Sequence, residues 1–115
     1  MGDFNDYPNN MYVNSGTSII NLPNEEFNGG INKTYYDVNF TNTTAQWGSI
    51  GGNGNHFHNV VFKTQSGIMN TYINNPVVCN AATFLGDGKI QGNNTFNDLN
   101  FTAGHAYTLQ AGTTQ

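Results

Sequence analysis

A short pattern that occurs three times is the feature of this chain that most constrains its fold. The copies begin at Phe27, Ile50 and Ile90 and read FNGGINKTYYDVNF, IGGNGNHFHNVVF and IQGNNTFNDLNF. Each copy has an apolar residue, glycine, an Asn-rich stretch, an aromatic residue, and then Val or Leu two positions before a Phe. The starts lie 23 and 40 residues apart, so the second gap covers about two periods of roughly 20 residues. A fixed period of this size is typical of a solenoid.

Each copy also contains a change of alternation that predicts a corner. In the second copy, Val60 and Phe62 share one face of a strand, but Phe57 would face the opposite side of a straight strand. All three point inward only if the chain bends between Phe57 and Val60, where Asn and Asp suit a tight corner. The predicted corners are Tyr36-Asp37, His58-Asn59 and Asn97-Asp98. A strand, a corner and a second strand make one coil of a parallel β-helix.

The sequence therefore predicts an all-β, right-handed parallel β-helix of about five coils, with the hand given by the rule for parallel crossovers. Residues 1–26 are predicted to be a lead-in or a first ragged coil, and residues 27–115 to be the coils of one domain. A degenerate coil, from about 68 to 89, is expected to bulge outward at Pro76. A β-sandwich is the alternative fold. The predicted interior columns are Phe40, Phe62 and Phe101; Val38, Val60 and Leu99; and Tyr35, Phe57 and Phe96.

The stacked corners suggest a ladder of polar side chains formed by Asp37, Asn59 and Asp98. Their oxygens could also bind Ca²⁺, although the glycine-rich calcium nonapeptide is absent. His56 and His58 are two residues apart and could hold a metal ion. No Cys or carboxylate is near them in sequence, although stacking of the coils could bring Asp37 or Asp98 close. The structural interpretation is favoured in each case. No metal or cofactor is therefore predicted, and Ca²⁺ is kept as the alternative.

Composition narrows the classes of partner and reaction. Charged residues make up 9% of the chain, against about a quarter in ordinary domains, and the polar character comes largely from 21 Asn residues. The chain has no Arg, and Lys33, Lys63 and Lys89 are isolated, which argues against nucleic acid as a partner. No apolar run approaches the ~20 residues that span a bilayer. The single Cys79 excludes an internal disulfide and is predicted to be buried.

The chain is predicted not to be an enzyme. Glu25-Glu26 is the only adjacent acid pair, and neighbours on an extended chain point to opposite faces. Glycoside hydrolysis needs two carboxylates about 5–9.5 Å apart across one sugar. A polysaccharide lyase or hydrolase fragment is kept only as a remote alternative. Trp47 and Tyr36 are the aromatic residues expected to be exposed and could stack on sugar rings, so a glycan-binding module is the nearer alternative.

The final stretch, NNTFNDLNFTAGHAYTLQAGTTQ from Asn93 to Gln115, resembles a repeat of very large secreted surface proteins of Bacteroidetes, and GNGNHFHNVVF is similar to it. Those proteins resemble adhesins exported by the type IX system. The resemblance covers about residues 50–115. It implies a β-helical segment, an extracellular or cell-surface location, a long parent chain, and a role in adhesion or surface architecture. The repeat pattern of those proteins has no catalytic residues, so the resemblance assigns none to this chain.

The two ends of the sequence favour a segment of a longer exported chain. The first residues lack the basic and apolar regions of a secretory signal, and the last residues are strand-like. A solenoid that lacks caps exposes unpaired strand edges, which are templates for association. The sequence thus predicts a structural segment that associates end to end into filaments or depends on flanking coils.

Overall fold

The computed structural model describes residues 19–23, 25–27, 31–52, 54–69, 77–92 and 94–109, and these form ten β-strands and no helix. The strands are β1 Ile19–Leu22, β2 Glu25–Phe27, β3 Thr34–Phe40, β4 Gly48–Ile50, β5 His56–Phe62, β6 Ser66–Met69, β7 Val78–Phe84, β8 Asp87–Ile90, β9 Thr95–Asn100 and β10 Tyr107–Leu109.

The strands form two parallel sheets, one from the odd-numbered strands and the other from the even-numbered strands. Consecutive strands thus alternate between the sheets, and each odd–even pair is one rung of a coil. The protein is a parallel β-solenoid of about four turns, slightly fewer than the five predicted coils. The β-sandwich alternative is wrong, because sandwich sheets are antiparallel whereas every strand pairing here is parallel. The right-handed sense of the coil stays a prediction.

The register confirms the period that the sequence indicates. Phe27 pairs with Ile50, and Met69 with Ile90, while Ile50 also pairs with Met69. The three starts of the sequence pattern therefore lie in one column, and Met69 occupies the rung where no fourth copy is visible. The first rung that the structure describes begins at Ile19, inside the segment predicted to be a lead-in or first coil.

The predicted corner lies inside the longer strands. Tyr35 and Val38 are both buried although they are three residues apart, so the side-chain alternation shifts between them. The paired positions skip one residue in each rung at this point: Tyr36, His58, Asn80 and Asn97. Tyr36, His58 and Asn97 are corner residues predicted from the sequence.

Stacked aromatic rings fill much of the interior. Successive ring centroids of Phe40, Phe62 and Phe84 lie 4.9 Å apart and nearly parallel, and each ring is fully buried. Tyr35 stacks on Phe57 in a second column. Phe101 follows Phe84 in the register of this column, with ring centroids 5.9 Å apart, but its ring is tilted and 45% exposed, so the prediction that Phe101 fills the interior is wrong. Phe84 is a member of the column that the sequence did not predict.

Glycines on the opposite sheet make room for these rings. Gly48, Gly67 and Gly88 are paired in register, and a Cβ added to Gly67 would lie 2.5 Å from the ring of Phe62. A contact this short is far inside the van der Waals distance. The glycine column therefore sets how closely the second sheet approaches the Phe column.

Residues 68–89, predicted to be a degenerate coil, form a regularly paired rung in the part that the structure describes. β7 pairs along its length with β5 on one side and with β9 on the other. The pattern is hidden in the sequence because Cys79 and Ala82 occupy the buried positions held elsewhere by aromatic residues and by Val or Leu. Both side chains are buried, as predicted for Cys79. The predicted bulge at Pro76 lies outside the described residues.

Candidate functional site

The outer corner of the solenoid carries a column of four polar or aromatic side chains. Tyr36, His58, Asn80 and Asn97 occupy equivalent positions on successive rungs. The rings of Tyr36 and His58 stack with centroids 4.2 Å apart and an interplanar angle of 15°. The Asn97 side-chain amide donates a hydrogen bond of 3.0 Å to the Asn80 side-chain oxygen. Tyr36 and His58 therefore cover part of each other's surface along the solenoid axis, and so do Asn80 and Asn97.

The predicted ladder of Asp37, Asn59 and Asp98 lies in a single column, as expected, but Ala81 interrupts it between Asn59 and Asp98. Three rung spacings separate the two aspartates, about 14 Å at the usual strand spacing. One Ca²⁺ ion contacts oxygens at about 2.3–2.6 Å, so the two aspartates cannot share an ion as the sequence suggested.

Side-chain ladders occur instead in neighbouring columns. The Asn39 amide donates to the Asn21 side-chain oxygen at 3.0 Å, and the Asn100 amide donates to the Thr83 hydroxyl at 3.3 Å. Asn39, Thr83 and Asn100 belong to one column, which continues between them through Val61. The Asn-rich composition is thus used in part for contacts between rungs.

Two His–Asp pairs lie on the surface. His58 Nδ1 and Asp37 Oδ1 are 3.3 Å apart, and His105 Nδ1 and Asp87 Oδ1 are 3.2 Å apart. Among the residues that the structure describes, no three His, Cys, Asp or Glu side chains come together as a metal-binding group. His56 is exposed on the same strand as His58 but is not part of such a group.

The structure separates the two predicted sugar-contact residues. Tyr36, 39% exposed, lies at the corner of β3, and Trp47, 41% exposed, precedes β4 on the other sheet. One face of the Tyr36 ring is covered by His58, so the ring shows mainly its edge and its other face. A sugar stacks on the face of an aromatic ring, and this arrangement leaves Trp47 as the better platform of the two.

Two buried asparagines were missed in the sequence. Asn55 and Asn94 directly precede β5 and β9, and both are fully buried. Asn55 Oδ1 accepts a hydrogen bond from the backbone N–H of Lys33, and Asn94 Oδ1 accepts one from Val77, each at 2.8 Å on the preceding rung. The Asn immediately before the aromatic strand in GNGNHF and GNNTF was the available signal.

The last rung differs from the others in its packing. Tyr107 occupies the column of Gly48, Gly67 and Gly88, and its ring lies edge-on to Phe84. The Tyr107 hydroxyl accepts a hydrogen bond of 2.8 Å from the Thr102 N–H and lies 3.1 Å from the Thr102 carbonyl oxygen. The ring of Phe101 lies against Tyr107, with centroids 4.1 Å apart. A large residue in the glycine column leaves Phe101 outside the core.

The turn before β10 is held by the rung below it. Asp87 Oδ1 accepts a hydrogen bond from the Ala106 backbone N–H at 3.1 Å and also contacts His105. The Ala106 hydrogen bond, followed by that of His105, lowers the pKa of the Asp87 carboxyl below its ordinary value. Asp87 is therefore a surface clasp between the last two rungs.

The chain matches no protein-family model, and neither a curated protein nor a solved structure is significantly similar to it. The fold therefore defines the class, a parallel β-solenoid, and the function has to be inferred from the molecule itself. In the described ranges, no helix has the length and apolar character needed to cross a membrane.

Proposed function

We propose that this chain is a non-catalytic structural segment of an extracellular, adhesin-like repeat protein. The observation that carries the proposal is the continuity of the columns from rung to rung. Phe40 stacks on Phe62 and Tyr36 on His58, and the Asn39–Asn21 and Asn97–Asn80 pairs form hydrogen bonds, each from one turn to the next. A rod built in this way bears load and sets distance, because each turn repeats the contacts of the last.

The proposed location is the surface of a bacterial cell or the medium around it. Its support is the resemblance of residues 50–115 to secreted surface repeats, together with a low content of charged residues. The proposed partners are flanking coils of a longer chain or other copies, reached through free strand edges. A net charge of -4 with only three Lys or Arg residues argues against a nucleic-acid partner.

Glycan binding is the second candidate function, and the exposure of Trp47 favours it. Indole rings are large apolar surfaces with a polar N–H, and an exposed one is suited to a sugar face. The remote third candidate, polysaccharide cleavage, would need a pair of facing carboxylates.

A glycan array on chain 1–115 separates the first two candidates. A structural segment is expected to show no binding that depends on Trp47. A matched pair of variants, Trp47→Ala and Tyr36→Ala, removes one exposed aromatic residue from each sheet. Binding that is lost in Trp47→Ala and kept in Tyr36→Ala would contradict the structural proposal. Incubation with polysaccharides and Ca²⁺ tests the third candidate, and the release of reducing or unsaturated ends would contradict the assignment as a non-enzyme.

A further inference from the structure

The C-terminal end of the solenoid carries an exposed apolar surface. Leu109 belongs to the column of Ile50, Met69 and Ile90, whose side chains are at most 1% exposed, yet it is 50% exposed itself. Phe101 is 45% exposed and lies on Tyr107, and Leu99 is only partly buried. We call Leu99, Phe101, Tyr107 and Leu109, together with the outer edges of β9 and β10, the C-terminal end face.

The first rung that the structure describes is different. Leu22 and Phe27 belong to the first rung and are 2% and 0% exposed, and Ile20 is also buried. Among the described residues of that rung, Ile19 is the one exposed large apolar side chain, so the rung shows less apolar surface than the C-terminal end face. The first and last described rungs therefore present different surfaces, which favours a contact between two C-terminal end faces over head-to-tail stacking.

Within the described residues, the backbone also has unpaired strand edges at this face. β9 and β10 are the last strands of their sheets among the described residues, each paired on one side only. Every strand between the first and last rungs has two hydrogen-bonded neighbours. The natural occupant of the C-terminal end face is therefore a pair of strands with its own apolar residues between them.

Charge favours a second copy of the same end as that occupant. Residues 99–109 contain no Asp, Glu, Lys or Arg, and Asp98 on β9 is the one formally charged residue of the two edge strands. Two such faces bring together one pair of like charges, the two Asp98 carboxylates, and because this side chain is exposed, water and salt screen the repulsion between them. Terminal rungs of solenoids usually carry a polar outer surface, and this one carries two aromatic rings and a Leu instead.

We propose that two copies of this chain join through their C-terminal end faces in a closed, two-fold dimer. A two-fold axis across the solenoid reverses the strands of the second copy, so edge strands would meet antiparallel, each supplying the donors and acceptors that the other lacks. The exposed rings and Leu109 of both copies would then be buried together. The proposal rests on the structural role proposed above and names the end and the partner that it uses.

Sedimentation equilibrium of chain 1–115 over a range of concentrations tests the proposal. The expected result is a reversible change between 12.5 kDa and twice that mass, with no larger species. Leu109→Lys and Phe101→Ser should each weaken the dimer at least about tenfold, because each alters an exposed residue of the contact. The matched control is Ile19→Lys, which changes an exposed apolar residue of the first rung and should leave the dimer unchanged.

A second measurement locates the contact without depending on stability. Spin labels at Ala103→Cys, beside the C-terminal end face, should lie closer to each other across the dimer than labels at Ile31→Cys, near the first rung. The reverse order would overturn the proposal. A monomer at all concentrations or an open-ended series of larger species would also overturn it. A dimer that forms only after residues 110–115 are removed would do the same, because those residues would then be the occupant of the C-terminal end face.

Failure of this proposal and failure of the structural role give different results. A monomer that binds no glycan leaves the structural role standing and removes the dimer. A dimer whose glycan binding depends on Trp47 keeps the end contact and removes the purely structural role.

Discussion

At the scale of single residues, the solenoid depends on side chains that match from one turn to the next. A Phe on one sheet faces a Gly on the other in three successive rungs, and a buried Asn joins the start of a rung to the rung before it in two places. These positions tolerate little change because the interior is close-packed.

Gly67→Ala is expected to destabilise the fold. The added methyl group would lie 2.5 Å from the Phe62 ring, which is stacked between Phe40 and Phe84 and cannot move aside easily. Overpacking of this kind costs about 1–3 kcal/mol in the free energy of unfolding. Urea unfolding at one fixed protein concentration measures the change, with Ser66→Ala, the neighbouring outward position of β6, as the control. Equal stability of the two variants would contradict the account of the glycine column.

Asn94→Ala should also cost stability. The change removes the oxygen that accepts the Val77 N–H and the amide that donates to the Gln91 carbonyl oxygen. Leaving such a buried group without its hydrogen bond costs about 1–3 kcal/mol. Asn97→Ala is the matched control, because its side chain is exposed and its loss should change the free energy of unfolding by less than about 0.5 kcal/mol. A loss of stability in Asn94→Ala that is no larger than the loss in Asn97→Ala would contradict the stabilising role of the buried Asn94.

Cys79 should be inert in the folded protein. Burial between rungs raises the pKa of its thiol from 9.0 to about 12, and the thiolate is the reactive form. Reaction with a thiol reagent at pH 8 is therefore expected to proceed at the rate of unfolding and to become fast in urea. Because the pKa is raised on folding, the stability it contributes is complete below pH 9.0 and falls as the pH rises towards 12. Rapid labelling of the native protein at pH 8 would contradict this.

At the scale of elements, the unit of the molecule is the rung, and rungs were predictable where the sequence repeats the full pattern. The copies of the pattern that begin at Phe27, Ile50 and Ile90 share the corner and the buried positions, so alternation alone predicted their strands. β7 was not recognised because small residues replace the large ones at Cys79 and Ala82, which removes the hydrophobic signal but keeps the burial. Small side chains can lie in a column whenever neighbouring rings fill the space.

The contacts between the ends of rungs could not be predicted from the sequence. The link between Asp87 and Ala106 joins residues 19 positions apart, and the sequence between them gives no sign of it. The stacking of Tyr36 on His58 follows from the corner register. That one face of the Tyr36 ring is covered, which leaves Trp47 as the better sugar platform, could be known only from the orientation of the rings. Sequence could indicate which residues share a column, but not how their side chains are oriented.

Asp87→Ala should loosen the turn that leads into β10. The carboxylate accepts the Ala106 N–H, so its removal is expected to speed hydrogen exchange at Ala106 while the amides of β5 are unaffected. Because the pKa of Asp87 is lowered on folding, the contact is present above the ordinary pKa of an aspartate and is lost as the pH falls through the lowered value. The wild-type turn should therefore open on acidification, and an Ala106 exchange rate that is the same in both proteins would contradict the clasp.

At the scale of the whole molecule, the repeat specified the architecture far better than the activity. A period of about 20 residues with inward-facing Phe, Val and Ile indicates a stack of parallel turns, because stacking buries the apolar residues of each turn in one continuous core. The difference between the two ends could not be predicted, since it depends on Tyr107 displacing Phe101 and on the burial of the first rung. The proposed dimer belongs to this scale because it follows from the end of the stack.

The register of that stack is the central claim, and nuclear Overhauser contacts between aromatic rings test it most directly. With ring-specific labelling, Phe62 should show contacts to both Phe40 and Phe84, whose centroids lie 4.9 Å from it on either side. These residues are 22 positions apart along the chain, so the contacts report one full turn each. Strong Hα–Hα contacts between neighbouring strands, the mark of antiparallel pairing, together with no contact from Phe62 to Phe40 or Phe84, would contradict the solenoid and everything inferred from it.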